Sequence, residues 1–355
     1  MKILFLNSSL TSGGSERVMT LLASKFADKG IDTTMSLVRE LGPDTYKVDD
    51  KVKLVRYEYG TGNKAMIAIK RFFGIRKQIR EGNFDAVIVF MNDLNLITLI
   101  AAGNLSTPIY ISERADPSKR NEGILYKLLE RHYYPKCAGM VCQTPDVMQQ
   151  FPDKLRKKSV VIPNPVSEQL PEPYTGLKKK KIVSVGRFTD QKNFPMLINA
   201  FAEFHREYPE YELFIYGKGP KEDEIKNLVK KKRIESSVHF PGFVDDIIDE
   251  IKDAEIYVSS SNFEGISNSM IEAMAMGLAV ICTDCPVGGA RLMIENGVNG
   301  ILIPVGDVNK LFEQIKRLAM ISEIRYQLGI NAINVRKNYS VDEIATRWIN
   351  LISKQ

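Results

Sequence analysis

The 355-residue chain is long enough for two domains of ordinary size, each with its own core. Its 44% hydrophobic and 26% charged residues describe a soluble globular protein, and no apolar run approaches the roughly 20 residues of a membrane-spanning helix. A net charge of +6 admits an anionic ligand, an anionic membrane or a nucleic acid without choosing among them.

The opening "MKILFLNSSL" is strand-like and too short for a signal peptide, so the chain reads as cytosolic. Next, "LNSSLTSGGSERV" brings Gly13 and Gly14 to the entrance of a helix read as capped by Ser15. Backbone N–H groups at such a turn can approach a phosphate or a sugar hydroxyl, although the spacing is not that of a G-x-G-x-x-G dinucleotide site. Further on, "NKAMIAIKRFFGIRKQIR" sets Lys64, Lys70, Arg71, Arg76, Lys77 and Arg80 among Phe72, Phe73 and other apolar residues, with no acid. Such a helix either packs its apolar stripe on a sheet, lies on an anionic membrane or holds a lipid-linked diphosphate. The paired phenylalanines and the missing acids favour the membrane.

Strand-like runs "KILFLN", "DAVIVFM", "TPIYIS", "GMVCQT" and "SVVIPN" alternate with helical stretches such as "ERVMTLLASKFADKG" and "LNLITLIAAG", the rhythm of a mostly parallel sheet. A proline- and lysine-rich break interrupts it, after which "KIVSVGR", "YELFIYG", "SVHFPG", "AEIYVSSS", "LAVICT" and "GILIP" restart the rhythm. The expected organisation is an N-terminal Rossmann-like domain at 1–165, a linker at 166–180, a second Rossmann-like domain at 181–338 and a helix at 339–355 that returns to the first domain. The lysine runs at 178–181 and 230–233 lack interleaved aromatics and read as solvated faces, so no nucleic-acid partner is expected. The four cysteines read as reduced thiols: Cys282 and Cys285 have C-x-x-C spacing, but no second pair completes a zinc site.

Chemistry gathers in the second half. In "SVGRFTDQKNF", Arg187 and Lys192 occupy a strand-to-helix loop, where two cations could neutralise a diphosphate or simply face solvent. In "SSNFEGISNSMIEAMAMG", Ser269 and Glu272 match an S-x-x-E capping box, which accounts for Glu272 by helix physics alone. Glu264 has no such explanation. It follows a strand and precedes a helix, where open α/β sheets place ligands.

Taken in order, Gly13-Gly14, "GRFTDQKNF", "GKGP", "FEGISNSMIEAMAMGLAVI" and "NGILIPVGD" resemble the retaining GT-B glycosyltransferases of family 4 over the whole chain. The resemblance implies two doubly wound α/β domains facing a cleft, a first domain for the acceptor and a second for a nucleotide sugar. It further implies that Glu264 binds donor-sugar hydroxyls, that Glu272 holds the ribose, that Arg187 and Lys192 grip the diphosphate, and that Phe243 and Val244 meet the base. The N–H groups around Gly265, Ile266, Ser267, Asn268 and Ser269 are expected to assist, with Gly13 and Gly14 at the donor from the first domain.

The function so implied is retaining transfer of a hexose or N-acetylhexosamine from a nucleotide sugar, UDP-linked, to a saccharide acceptor of the undecaprenyl-diphosphate-linked kind in bacterial glycan assembly. The enzyme is placed at the inner face of the cell membrane, with Lys70, Arg71, Phe72, Phe73, Arg76 and Lys77 at the acceptor or the lipid. No D-x-D triplet is present, so neither a metal nor another cofactor is expected. Where many relatives carry a histidine near the reacting carbon, this chain has Glu113, Arg114 and Asp116; Glu113 or Asp116 could accept the acceptor's proton, or the leaving phosphate could. A glutamate common in the family is replaced by Arg291. Two rival readings are a sugar-nucleotide epimerase on the same fold and a non-catalytic nucleotide-binding module.

Overall fold

A computed structural model describes residues 1–11, 13–39, 46–57, 63–114, 116–120, 122–244 and 246–354. Two compact units emerge: Met1–Pro165 with Val341–Gln355, and Val166–Ser340.

The first unit is built on a seven-stranded sheet of order β3-β2-β1-β4-β5-β6-β7. Its strands are β1 (Lys2–Asn7), β2 (Asp32–Leu37), β3 (Lys53–Arg56), β4 (Ala86–Phe90), β5 (Ile109–Glu113), β6 (Gly139–Cys142) and β7 (Ser159–Val161). All pair in parallel. Both faces of the central strands are covered, so β1 and β4 read as unbroken apolar runs rather than alternating ones, with Ile3 to Leu6 and Ala86 to Phe90 fully buried.

The second unit has a six-stranded parallel sheet of order β10-β9-β8-β11-β12-β13. Its strands are β8 (Lys179–Val185), β9 (Glu212–Tyr216), β10 (Val238–Gly242), β11 (Ala254–Ser259), β12 (Ala279–Thr283) and β13 (Ile301–Ile303). In each sheet the chain moves outward in one direction and then restarts beside its first strand. The order therefore reverses at β1/β4 in one unit and at β8/β11 in the other, where loops diverge and leave room for a ligand.

The segment 166–180 belongs to the second unit rather than spanning freely: Val166 and Leu170 are buried in its core, and the Val166 N–H bonds the Tyr339 carbonyl at 2.7 Å. The last helix, Val341–Ser353, lies in the first unit, where Trp348 is fully buried and stacks on Phe90 with centroids 5.7 Å apart.

Candidate active site

The loops after β8 and β11 meet at the switch point of the second sheet. Asn193 closes the first loop in the left-handed region (φ 46, ψ 46), which asparagine tolerates, and its side chain caps the helix Phe194–Glu207 by accepting from the Met196 N–H. Its amide also donates to Asn262 Oδ1 at 2.9 Å. In return Asn262 donates from its backbone to the Gln191 carbonyl at 2.8 Å and from its side chain to the Asp190 carbonyl at 2.7 Å. Ser260 Oγ donates to the carbonyls of Lys192 and Asn193. These bonds fix one loop against the other and bring Lys192 Nζ to 2.5 Å from Glu264 Oε2.

Both members of that pair are largely but not wholly enclosed, with 16% and 20% of their side chains exposed. Ser261 Oγ donates to the same Glu264 oxygen at 3.4 Å, and the Glu264 N–H is held by the Pro286 carbonyl at 2.6 Å. Close backbone contacts tighten the frame. A Cβ on Gly289 would lie 1.7 Å from the Gly265 carbonyl, and one on Gly217, whose φ is +134°, would lie 2.0 Å from the Gly186 carbonyl. Only glycine lets these loops approach so near.

The helix Asn268–Ala275 starts one residue after Ser267, whose Oγ accepts from the Met270 N–H. The expected capping box is therefore not formed: with Ser267 as the cap, Ser269 and Glu272 sit inside the helix, and Ser269 Oγ instead meets Tyr257 OH at 2.9 Å and Ser267 Oγ at 3.0 Å. Glu272 is buried one turn into the helix, so end-capping does not account for it. Gly265, Ile266 and Ser267 form the approach to this helix end and Asn268 and Ser269 begin its first turn, whose N–H groups carry the positive end of the dipole. Arg187 is exposed on the loop after β8, five residues before Lys192. Phe243 is exposed and Val244 packs against the core beyond β10. Arg291 donates to Asp284 at 2.7 Å.

In the first unit the helix after β1 is Gly14–Asp28, with Gly13 at the cap position and no side-chain bond, so Ser15 is not its cap. Met91, just past β4 at the switch point, holds φ 93 and ψ 125, a strained conformation for a residue with a Cβ. Glu113, at the end of β5, is fully buried, and burial pushes its carboxyl up to about 8 despite Arg120 3.8 Å away. It offers no open face to an acceptor hydroxyl. Arg120 also pairs with Glu130 at 2.7 Å and with Glu122 at 3.6 Å. Arg114 spreads over the Phe90 ring at 4.0 Å and donates to Ser112 Oγ and Asn164 Oδ1. The Asp116 carboxylate accepts from the backbone and hydroxyl of Ser118.

The basic helix spans Lys64–Gly82. Ile75 and Ile79 face the core, whereas Met66, Ile69 and Phe73 are exposed, as are Lys70 and Lys77. Phe72 is half-buried and meets Phe73 edge-on. Arg76 turns inward: its guanidinium donates to the Ala101 carbonyl at 2.6 Å and to Asn104 Oδ1 at 3.1 Å, closing the C-terminal end of the helix Asn92–Ala102. Arg71 is also half-buried. The Lys64 side chain lies outside the described residues.

Sequence reasoning missed Asn193, Asn262, Ser260 and the Pro286 carbonyl, which carry the frame around Lys192 and Glu264. Asn193 alone left a signal, an asparagine directly ahead of a helical run.

Comparison with known proteins agrees with this geometry. Residues 12–170 match the model of Glycosyltransferase Family 4, and residues 167–335 match that of Glycosyl transferases group 1. The chain is 26% identical over 361 residues, covering 100% of itself and 99% of the relative, to the GalNAc-alpha-(1->4)-GalNAc-alpha-(1->3)-diNAcBac-PP-undecaprenol alpha-1,4-N-acetyl-D-galactosaminyltransferase of Campylobacter jejuni. It is 29% identical over 337 residues (89% and 90% covered) to that organism's N-acetylgalactosamine-N,N'-diacetylbacillosaminyl-diphospho-undecaprenol 4-alpha-N-acetylgalactosaminyltransferase. The fold superposes on HepE of Anabaena, solved in complex with UDP, with a TM-score of 0.82 and 18% identity over 100% of both chains. Two parallel switch-point sheets, family matches to both halves and these relatives lead to one conclusion: the chain belongs to the family 4, group 1 glycosyltransferases and has the GT-B fold.

Proposed function

We propose that the protein transfers a hexose or N-acetylhexosamine from a UDP sugar, with retention and without a metal, to a lipid-linked saccharide at an anionic membrane surface. The observation that carries this reading is the pairing of Lys192 with Glu264 at 2.5 Å across the β8/β11 switch point. One extended ligand can touch both groups: its diphosphate takes Lys192 and Arg187, and its sugar hydroxyls donate to Glu264.

Breaking the bond between the sugar carbon and the phosphate oxygen leaves negative charge on the diphosphate and positive character on the sugar. Fixed cations and the N–H groups at Ser267 to Ser269 stabilise that charge more in the transition state than in the ground state. In this reading these groups do the work a metal does in other transferases. Glu113 is buried, and the buried Asp116 carboxylate is engaged by Ser118, so in this reading the acceptor hydroxyl passes its proton to the leaving phosphate oxygen as the new C–O bond forms on the same face.

The UDP part of the reading is supported by the fold shared with the UDP complex of HepE. The acceptor class is supported by the undecaprenyl-linked saccharides named for both Campylobacter relatives, whose products are alpha-linked, and retention gives an alpha product from an alpha-linked donor. Neither the epimerase nor the binding-module reading has an observation in its favour. A thermal-shift screen against UDP, GDP, ADP and dTDP and their sugars in EDTA tests the donor, because a ligand that binds the folded state raises the melting temperature. A rise with UDP and its sugars alone is expected. A rise only with another base, or only after a divalent metal is added, overturns the donor or the metal-free part.

A further inference from the structure

Two helices of the first unit share an unusual layout. Along the outward stripe of Lys64–Gly82, Met66, Ile69 and Phe73 surround the exposed Lys70, and Lys77 and Arg80 follow on the same face. In Ile124–Tyr133, the apolar Ile124, Leu125 and Leu128 occupy the first two turns, and the exposed cations Lys127 and Arg131 begin at the same depth and continue beyond them. All six apolar side chains are 56% to 80% exposed. Such large side chains are normally covered, and here two groups of them recur at matching places.

Topology puts those places together. Both helices connect parallel strands moving in the same direction across the sheet, from β3 to β4 and from β5 to β6, so right-handed crossovers set them on one face. The helix Asn92–Ala102 lies between them and touches both. The helix Asn92–Ala102 starts just after β4 ends, the Tyr126 hydroxyl donates to the Asn92 carbonyl at 2.8 Å and Arg76 donates to the Ala101 carbonyl at the other end, so the apolar first turns of both helices lie toward the C-terminal edge of the sheet. Lys70 and Lys127 share their depth, and Lys77, Arg80 and Arg131 lie further from that edge. About 10 Å of helix carries Met66 to Phe73, close to the depth to which an interfacial helix enters the boundary between headgroups and acyl chains.

We propose that this edge is a lipid-inserting rim: Met66, Ile69 and Phe73 together with Ile124, Leu125 and Leu128 enter an anionic bilayer, while Lys70, Lys77, Arg80, Lys127 and Arg131 meet its headgroups. The helix Ile124–Tyr133 is the new element, and with it comes an orientation: the C-terminal edge of the first sheet, where its switch point lies, faces the membrane. This rests on the reading that the acceptor is lipid-linked, since it would bring that edge to the surface in which such an acceptor is anchored. Charge chooses the occupant. A second copy of this chain would bring the same cations against one another, whereas an anionic lipid surface complements them.

The test uses the full chain with phosphatidylcholine vesicles containing or lacking phosphatidylglycerol. All four native cysteines are buried, so a Leu125→Cys variant takes an environment-sensitive dye selectively, and a Lys232→Cys variant in the second unit serves as control. The dye at 125 is expected to shift to the blue with phosphatidylglycerol vesicles and the dye at 232 to stay unchanged. A Leu125→Glu, Leu128→Glu double variant should lose about tenfold or more in vesicle affinity while keeping its UDP-induced thermal shift, since two large apolar groups leave the bilayer. Vesicle binding that survives the double variant, with no blue shift at 125, overturns the rim but leaves membrane attachment standing. No vesicle binding by the wild type overturns both. Loss of the UDP shift in the double variant marks damage to the fold, and the labelled Leu125→Cys protein then decides alone.

Discussion

Glu264 lies beyond β11, beside the switch point of its sheet, and Glu113 ends β5, one strand away from the switch point of the other; each has a cation nearby, yet they differ in kind. Glu264 keeps 20% of its side chain open and meets Lys192 at 2.5 Å through a single flexible amine. Glu113 has no exposed surface, and its partner Arg120 is shared with Glu122 and Glu130. An open pair can exchange one partner for a ligand. A closed cluster holds a loop to a helix and exchanges nothing without a cost in stability.

Breaking the closed cluster should have the larger effect on folding. An Arg120→Met variant leaves the largely enclosed Glu122 and Glu130 carboxylates without their cation, beside the buried Glu113 carboxyl, and is expected to cost about 3 kcal/mol in urea unfolding. A loss under about 1 kcal/mol would mean that the cluster is not the clamp its geometry suggests. At the open pair the effect moves to activity: Lys192→Ala should lower kcat by about 10²–10³-fold, as for loss of one preorganised group facing developing negative charge, with little change in unfolding. Full activity in that variant would remove Lys192 from the donor site.

The same buried carboxyl also makes stability depend on pH. Burial raises the Glu113 carboxyl from 4.5 to about 8, so between those values the folded state keeps a proton that the unfolded state has released. Stability contributed by the protonated group is complete below pH 4.5, declines as pH rises through the window and levels off above about 8. Glu113→Gln, which cannot ionise, should flatten the fall in melting temperature over that range relative to the wild type. An unchanged slope would show that Glu113 does not stay protonated.

The sequence exposed these features unevenly. Strands β1, β4 and β5 and most of the second sheet were legible because central parallel strands are continuous apolar runs bounded by turns. By contrast, β2 ("DTTMSL") and β3 ("KLVR") carry threonines and charges near the sheet edge and gave no such run. Arg187, Lys192 and Glu264 were legible as chemistry, but the 2.5 Å contact was not, since it depends on Asn193 and Asn262 joining loops some 70 residues apart. The capping box failed because S-x-x-E is satisfied by spacing alone, whereas the helix began at the first serine able to cap it, Ser267. The inward turn of Arg76 was equally invisible, because periodicity places a side chain on a face without showing whether a carbonyl waits there.

A calorimetric titration of UDP in EDTA against the wild type, Lys192→Ala and Glu113→Gln tests most directly whether the Lys192–Glu264 pair holds the diphosphate. The wild type and Glu113→Gln are expected to bind with similar affinity, and Lys192→Ala at least about tenfold more weakly, the loss expected when a charge-assisted contact to phosphate is removed. Equal affinity in the wild type and Lys192→Ala would contradict that role, because the open pair at the β8/β11 switch point would then not be where the diphosphate binds.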